Sequence, residues 1–575
     1  MRYILLAGLV VYNRVRIDAY LLNLVASVLF PLFNFVQGFP TPWHPCESPK
    51  VLPPVMGEQM GMISFQSSAI GSAFPYDCFG DLFTGERIPS WGDDAYQRIG
   101  VRILDWMVPS WGLAAITGHH RVPLEKDALV RLGWQGFQFV RPREIKYASN
   151  GVFGMDLVER LLQTHQTLDT LAILMTDSVF SAQLTYDQNS TLFSVDLSEY
   201  ARYGHLPGML PLGGKAAFRY DPESGRLRTV RLEYNGTVYD PPDQERMGER
   251  AMIATLMTAT NLIMHAKNIH LEMSTAFQAV TVNQFTNHTT HAVRRLVDPY
   301  IHRNVQATNE VFRLLFLKGA AQWSQGPLST TAQLQLIDDM VREHPMRLAQ
   351  QDMEHYGRVR KMRPVFSTKR AQSETSLYGW RWHYRALTVQ RLYAVLIECH
   401  LDANGFTDDV KLRDDPLVVT WWTELAARIP SLNRSLTQDV QWSGGPIVSR
   451  MGLIHVLRTL MVWLSWIHED VRHSMAAYVY NPIHTPMQVP SDGNGIPALP
   501  YLFNVNAYRT FVFLERVKLL DSPPDFWFSA RSKDKKCFTE FQESLRVLSE
   551  EPAFAECGRT GFYSCVSEVE TSVSS

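Results

Sequence analysis

Cysteine is scarce in this chain and follows no pattern. The six residues, Cys46, Cys78, Cys399, Cys537, Cys557 and Cys565, contain no CxxC pair, which argues against a cysteine-ligated zinc site and leaves too few for a disulfide scaffold. Neither sign of charge is in excess. With 55 basic and 57 acidic side chains the net charge is −2, so the basic face that phosphate demands is missing, and nucleic acid is excluded as a partner. Familiar catalytic signatures are absent too: no GxGxxG follows a strand, and there is no Walker loop, HExxH or GxSxG elbow. In the IHEDVRH stretch Arg472 occupies the place of a zincin's second histidine, and Glu469 and Asp470 read as solvated helix-face charges. No solenoid repeat or low-complexity linker divides the sequence.

What is present is apolar. At 46% hydrophobic and 19% charged, the chain can bury a large core and is not disordered. Its 14 Trp, 22 Tyr and 29 Phe suit a helical core that encloses apolar space. Length alone would suggest about three or four domains, but the pattern reads as one. Residues 3–12 (YILLAGLVVY) follow a short basic start, and a second uncharged run contains LLNLVASVLFPLFNFV, so residues 1–40 are read as a hydrophobic targeting or anchoring segment. Sequons at Asn189, Asn235, Asn287 and Asn433 fit a secreted or membrane-associated protein, with the cytoplasm as the alternative. Residues 41–110 are rich in Pro, Gly and aromatics and read as irregular. Between 182 and 240, short alternating runs (SAQLTYD, STLFSVDL, KAAFRYD, RLRTVRLEYNG), with a DPESG turn between the last two, predict a small antiparallel sheet. From Glu249 onward, apolar residues recur at helical spacing in MIATLMTATNLIMHAKNIHLEM, NEVFRLLFLKGAAQW, LTVQRLYAVLIECHL and MGLIHVLRTLMVWLSWIHEDVRH.

Two His-x4-His pairs lie on these helices, His265/His270 and His468/His473. Five residues turn an α-helix about 500°, leaving the side chains about 140° apart; a π-bulge would bring them onto one face, and such bulges concentrate at functional sites. Neutral imidazole ligates iron, manganese or zinc, and paired helices can present several ligands to one buried ion. The alternative is histidines at helix rims, packed between helices. His119 and His120, after a glycine, read as loop.

Beyond the spacing, the stretch from MIATLMTATNLIMHAKNIHLEM to HAVRRLVDPYIHRN resembles the central metal-binding region of the lipoxygenases. His291-Ala292-Val293-Arg294-Arg295-Leu296-Val297-Asp298-Pro299 is similar to the family's HP-[IV]-x-[KR]-LL-x-P segment. LYAVLIECHLDANGFTDDVKLRDDPLVVTWWTEL is similar to its aromatic-rich helix, acidic connector and W-x-x-E-L segment, and Trp422 and Glu424-Leu425 fall in place. Ser465-Trp466-Ile467-His468 resembles the S-A-x-H segment that opens the second ligand helix, and KAAFRYDPESGRLRTVRLEYNG the β segment before the first. The resemblance spans roughly residues 195–480 in the family's order.

The resemblance implies a mainly α protein: residues 41–575 as a single large helical catalytic domain with a small antiparallel β element, without the N-terminal β-barrel, as in the shorter fungal or bacterial lipoxygenases. It implies one non-haem Fe or Mn ion held by His265, His270, His468, His473 and the main-chain carboxylate of Ser575. It further implies dioxygenation of a polyunsaturated fatty acid or other apolar polyene: a metal-bound hydroxide abstracts hydrogen, O2 is trapped and a hydroperoxide forms. Arg294 and Arg295 are candidates for pairing a substrate carboxylate, with salt bridging as their alternative role. There are departures. Ala266 follows the first ligand where the family has Glu or Gln, Ser274-Thr275-Ala276 and Ala279 replace its later Thr-His and Glu, and the polar Ser575 ends the chain. Arg472 aligns with the fourth ligand, and a permanently charged guanidinium cannot ligate a cation. These departures admit a diverged enzyme that oxidises, isomerises or cyclises a terpenoid or polyketide, or a metal-free lipid-binding protein.

Overall fold

In the computed structural model the chain is described, short gaps aside, over residues 167–239, 246–301, 327–362, 380–428, 448–472, 484–497, 518–528 and 533–573, with 121–122 and 162–163. Residues 1–40, most of 41–166, the NEVFRLLFLKGAAQW run, His119, His120, Asn433, His473 and Ser575 lie outside the described residues.

The alternating runs form the expected sheet. Strands β1 (Thr185–Asp187), β2 (Leu192–Asp196), β3 (Lys215–Asp221), β4 (Arg226–Tyr234) and β5 (Thr237–Tyr239) pair antiparallel in sequence order. Between β3 and β4, Ala216 faces Leu232 and Tyr220 faces Leu227, with a register shift at Ala217/Phe218. The DPESG turn closes this pair: Asp221 accepts hydrogen bonds from the Glu223 amide and the Ser224 hydroxyl, and Gly225 takes a φ of +66°, a left-handed conformation that costs glycine little. One face of the sheet, carrying Phe193, Val195, Ala216, Phe218, Leu227 and Leu232, is buried. It packs against helix α1 (Thr170–Asp177) and the start of helix α2 (Arg246–Thr258). Two further extended residues, Arg121–Val122, pair with Ile496–Pro497.

The rest is helical. Helix α2 runs directly into a π-helix, Ala259–Thr275, and then α3 (Ala276–Gln284). Most of the side chains described on this continuous helix are buried, as expected of a central helix. After α4 (Ala292–Ile301) and α5 (Thr330–Glu343), the long α6 (Arg381–Ala403) packs against α8 (Arg450–Val462) and α9 (Lys533–Glu550), and α7 (Pro416–Arg428) against α3. Helix α8 continues through a π-turn, Trp463–Ile467, to Arg472. That helix is long and apolar enough to cross a membrane, yet 89% of its apolar window is buried inside the protein, so it reads as a core helix.

Aromatic side chains knit these layers together. Trp380, Trp382, Trp421, Trp422, Trp463 and Trp466 are all fully buried, each contributing on the order of 2–3 kcal/mol from apolar area removed from water. Some of the polar ring edges are met: Trp421 Nε1 donates to Thr281 Oγ1 at 3.0 Å and Trp463 Nε1 to the Gln351 carbonyl at 2.8 Å.

Among the described cysteines none is free: Cys399 pairs with Cys537, and Cys557 with Cys565. The first bond joins α6 to α9, 138 residues apart in sequence. Helix packing brings that pair together, whereas Cys557 and Cys565 lie only 8 residues apart in the chain.

Candidate metal centre

The π-helix Ala259–Thr275 decides the geometry of the first histidine pair. With the helix wound to i→i+5 hydrogen bonding, residues five apart share a face, and His265 Nε2 and His270 Nε2 lie 3.1 Å apart. On the facing helix the π-turn Trp463–Ile467 ends at His468. Ser465 fixes that turn: its hydroxyl donates to the Met461 carbonyl at 2.6 Å and meets Tyr393 Oη, also at 2.6 Å. His468 Nε2 then stands 3.3 Å from His270 Nε2, and the three rings gather with centroids 4.8, 4.9 and 5.1 Å apart.

Burial sets the protonation of these rings. His270 and His468 are almost fully enclosed. Burial first, then the neighbouring His270 and Arg472, pushes His265 well below the ordinary imidazole pKa; burial, then Arg472, pushes His270 down to about 3. At neutral pH these two imidazoles are therefore uncharged, which is the ligating form. A neutral imidazole has one donor and one acceptor nitrogen, so the converging Nε2 atoms cannot satisfy one another pairwise. They do suit a cation. An ion about 2.1 Å from each nitrogen, with ligands at right angles, sets those nitrogens about 3.0 Å apart. His265, His270 and His468 fit a metal ion.

The second half of the site is acidic. His468, Glu469 and Glu570 bring donor atoms within 4.8 Å of one another, all buried. Glu469 and Asp470, expected on a solvated face, are 1% and 0% exposed; the whole circumference of this helix is covered, so the expectation is corrected. Asp470 Oδ1 accepts the Ser564 amide at 2.8 Å, which ties the C-terminal segment to the ligand helix. That segment is also held by Leu519, whose amide donates to the Val569 carbonyl at 2.8 Å, by an antiparallel backbone β-bridge between Lys518 and Glu570, and by the Lys518 side chain, which pairs with Glu568 at 2.8 Å. Glu570, missed by the sequence reading, receives Arg472 Nη1 at 2.7 Å. The arginine aligned with a metal ligand is thus engaged by a carboxylate from the tail. His473 and Ser575 lie outside the described residues.

Arg294 and Arg295 are occupied within the protein. Arg294 is buried and pairs with Asp298 one helical turn on. Arg295 donates to Asp534 Oδ2 at 2.6 Å, to Asn404 Oδ1 at 3.0 Å and to the Thr290 carbonyl. The neighbouring His291 pairs with Asp415 at 3.0 Å. Arg294 thus bridges within α4, and Arg295 bridges α4 to α9.

No family model and no curated protein matches the sequence. Solved structures do match the fold. A coral 8R-lipoxygenase has a TM-score of 0.62 at 12% identity, over 84% of this chain and 75% of that one. A lipoxygenase solved in complex with arachidonate gives 0.63 at 13% identity over the same shares. A calcium-dependent 11R-lipoxygenase gives 0.57 at 13% identity, covering 71% of this chain and 66% of that one. At such identities the likeness is one of architecture: this chain carries a divergent form of the lipoxygenase fold.

Proposed function

We propose that the protein is a non-haem metal dioxygenase that inserts O2 into a polyunsaturated fatty acid or a similar apolar polyene. The carrying observation is the convergence of His265, His270 and His468 at 3.1 and 3.3 Å between nitrogens, inside a buried helical core. A redox-active iron or manganese bound there would supply one-electron chemistry able to remove a hydrogen atom from a doubly allylic methylene, leaving a carbon radical that combines with O2. The protein's part is to hold three imidazoles, His265 and His270 kept neutral by burial, in facial array and to exclude water. The packed aromatic walls around π-helix and π-turn do the latter. Arachidonate in one structural neighbour supports a long apolar acid as the substrate class. Residues 41–575 form the catalytic domain in this reading, with His473 and Ser575 as further candidate ligands. Arg294 or Arg295 would reach a substrate carboxylate only by giving up a present partner.

The two disulfides and the exposed sequon residues Asn189, Asn235 and Asn287 support passage through the secretory route, with residues 1–40 as the targeting or anchoring segment.

The test is elemental analysis of the purified protein beside His270→Ala, followed by O2 uptake with a polyunsaturated acid. About one iron or manganese per chain, lost in the variant, with O2 consumption and a conjugated diene hydroperoxide as product, is the expected result. Absence of stoichiometric metal, or metal indifferent to the substitution, overturns it and leaves a lipid-binding fold. A second reading rests on Arg472 and Glu570 standing where a fourth ligand is expected: the same centre would act on a terpenoid or polyketide. Metal without turnover of fatty acids, and turnover of such a polyene, would favour it.

A further inference from the structure

The π-helix carries a second pair of residues at the histidines' spacing. Lys267 and Glu272 are five apart, displaced by two from His265 and His270, and Lys267 Nζ donates to Glu272 Oε2 at 2.9 Å. Their side chains are only 1% and 6% exposed. The ammonium group uses all three donors, the others going to Asn268 Oδ1 at 2.9 Å and the His344 carbonyl at 3.0 Å. Glu272 Oε2 also accepts the Met346 amide at 3.3 Å. The pair is thus seated against the turn that follows α5, a different element from the one that carries it.

In an α-helix these two side chains would point about 140° apart and could not meet. The pair forms only when the segment is wound as a π-helix, the same condition that brings His265 Nε2 and His270 Nε2 to 3.1 Å. Long π-helical segments are rare because i→i+5 winding is less favourable than α, so something outside the backbone must hold this one. We infer that the Lys267–Glu272 ion pair is the positioning device of the metal centre: it locks the helix in the register that makes His265 and His270 one ligand face. Neither residue touches the metal position; each acts through the helix. This inference rests on the proposed metal centre for its functional consequence.

Breaking one partner of a buried pair is destabilising in itself, whereas replacing both by apolar residues of similar size is often close to neutral. The double variant K267M/E272L therefore separates register from stability. Metal release to a competing chelator, with iron(II) and manganese(II) as probes, is measured on the full chain for wild type, K267M/E272L, E272Q and H270A. Thermal unfolding and amide hydrogen exchange over residues 263–273 are measured alongside. Expected is a folded K267M/E272L protein that unfolds near the wild-type temperature, exchanges faster in this segment and holds metal about tenfold or more weakly, the range of outer-shell supports. Wild-type metal affinity in folded K267M/E272L, or unchanged exchange in this segment, overturns the inference while leaving the metal centre intact. Should the apolar pair fail to fold, E272Q, which keeps the shape and loses the charge, makes the same comparison with a smaller expected loss. If wild type and H270A alike hold no metal, the metal reading fails, and amide exchange decides the register claim: faster exchange in the variants supports it, unchanged exchange overturns it.

Discussion

Arg472 and Glu570, 98 residues apart in the chain, meet as a buried ion pair with Nη1 2.7 Å from Oε2. The carboxylate is 1% exposed and the guanidinium side chain 11%, so little water screens the contact. Removing either partner of such a pair typically costs about 3–5 kcal/mol. We expect R472Q and E570Q each to fall in that range in urea unfolding, and R472M/E570L to cost well under their sum. Additive costs would show that the two charges do not depend on each other.

The same arginine sets a second expectation. Its charge contributes to the lowered pKa of both His265 and His270, and a potential that repels protons also repels a metal cation. Arg472→Asn removes that potential and offers an amide oxygen instead. Metal should then bind more tightly, by about tenfold for a unit charge several ångströms away in a partly screened site. Chelator competition measures this directly, and weaker binding in the variant would mean that Arg472 acts by organising Glu570 and not by its field.

How far the sequence reveals this site depends on which residues signal themselves locally. Histidine is infrequent and chemically pointed, so His265 and His270 stand out, and their spacing of five already asks for a π-helix. His468 emerges from its place after Ser465 in an ordered set of segments. The sheet between Thr185 and Tyr239 is legible from period-two alternation and its turn residues. Lys267 and Glu272 share the histidines' spacing, yet charged residues on a helix ordinarily mean a solvated face, and nothing local says that the turn at His344–Met346 covers them. Glu469 and Asp470 mislead for the same reason. Glu570 lies in a polar tail whose burial depends on Ser564 and Leu519, contacts set only by the tertiary fold. The Cys399–Cys537 disulfide escapes because its partners, 138 residues apart, converge by helix packing.

Two histidines away from the centre give the protein an acid limit. His383 and His400 are fully buried on α6, with Nε2 against the carbonyls of Met353 and Ala292 respectively. Burial, the dominant cause, lowers each pKa to about 4. Between the ordinary value near 6.5 and about 4, the unfolded chain takes up a proton at each position and the folded one does not. Their contribution to stability is present above about pH 6.5 and lost as pH falls toward 4, at about 1.4 kcal/mol per pH unit for each once well below 6.5. His400→Gln, whose amide can still donate to the Ala292 carbonyl, should therefore flatten the acid limb of unfolding free energy against pH by one proton. An unchanged slope would mean that His400 is protonated in the folded state.

The disulfides should differ in what they contribute. Cys399–Cys537 closes a span of 138 residues and Cys557–Cys565 one of 8. Under the chain-entropy model, longer loops confine the unfolded ensemble more, giving about 5 and about 2.5 kcal/mol respectively. C399S/C537S should therefore lower the unfolding midpoint in denaturant by roughly twice as much as C557S/C565S. The shorter loop has its own consequence, because Cys565 adjoins Ser564, whose amide is bound by Asp470 in the ligand helix. Loosening that loop frees the segment leading to Glu570, and with it the carboxylate that engages Arg472. C557S/C565S should consequently weaken metal retention more than C399S/C537S does, although it costs less stability. The reverse order in chelator competition would show that the tail is held at Glu570 by Lys518 and Leu519 without help from the disulfide.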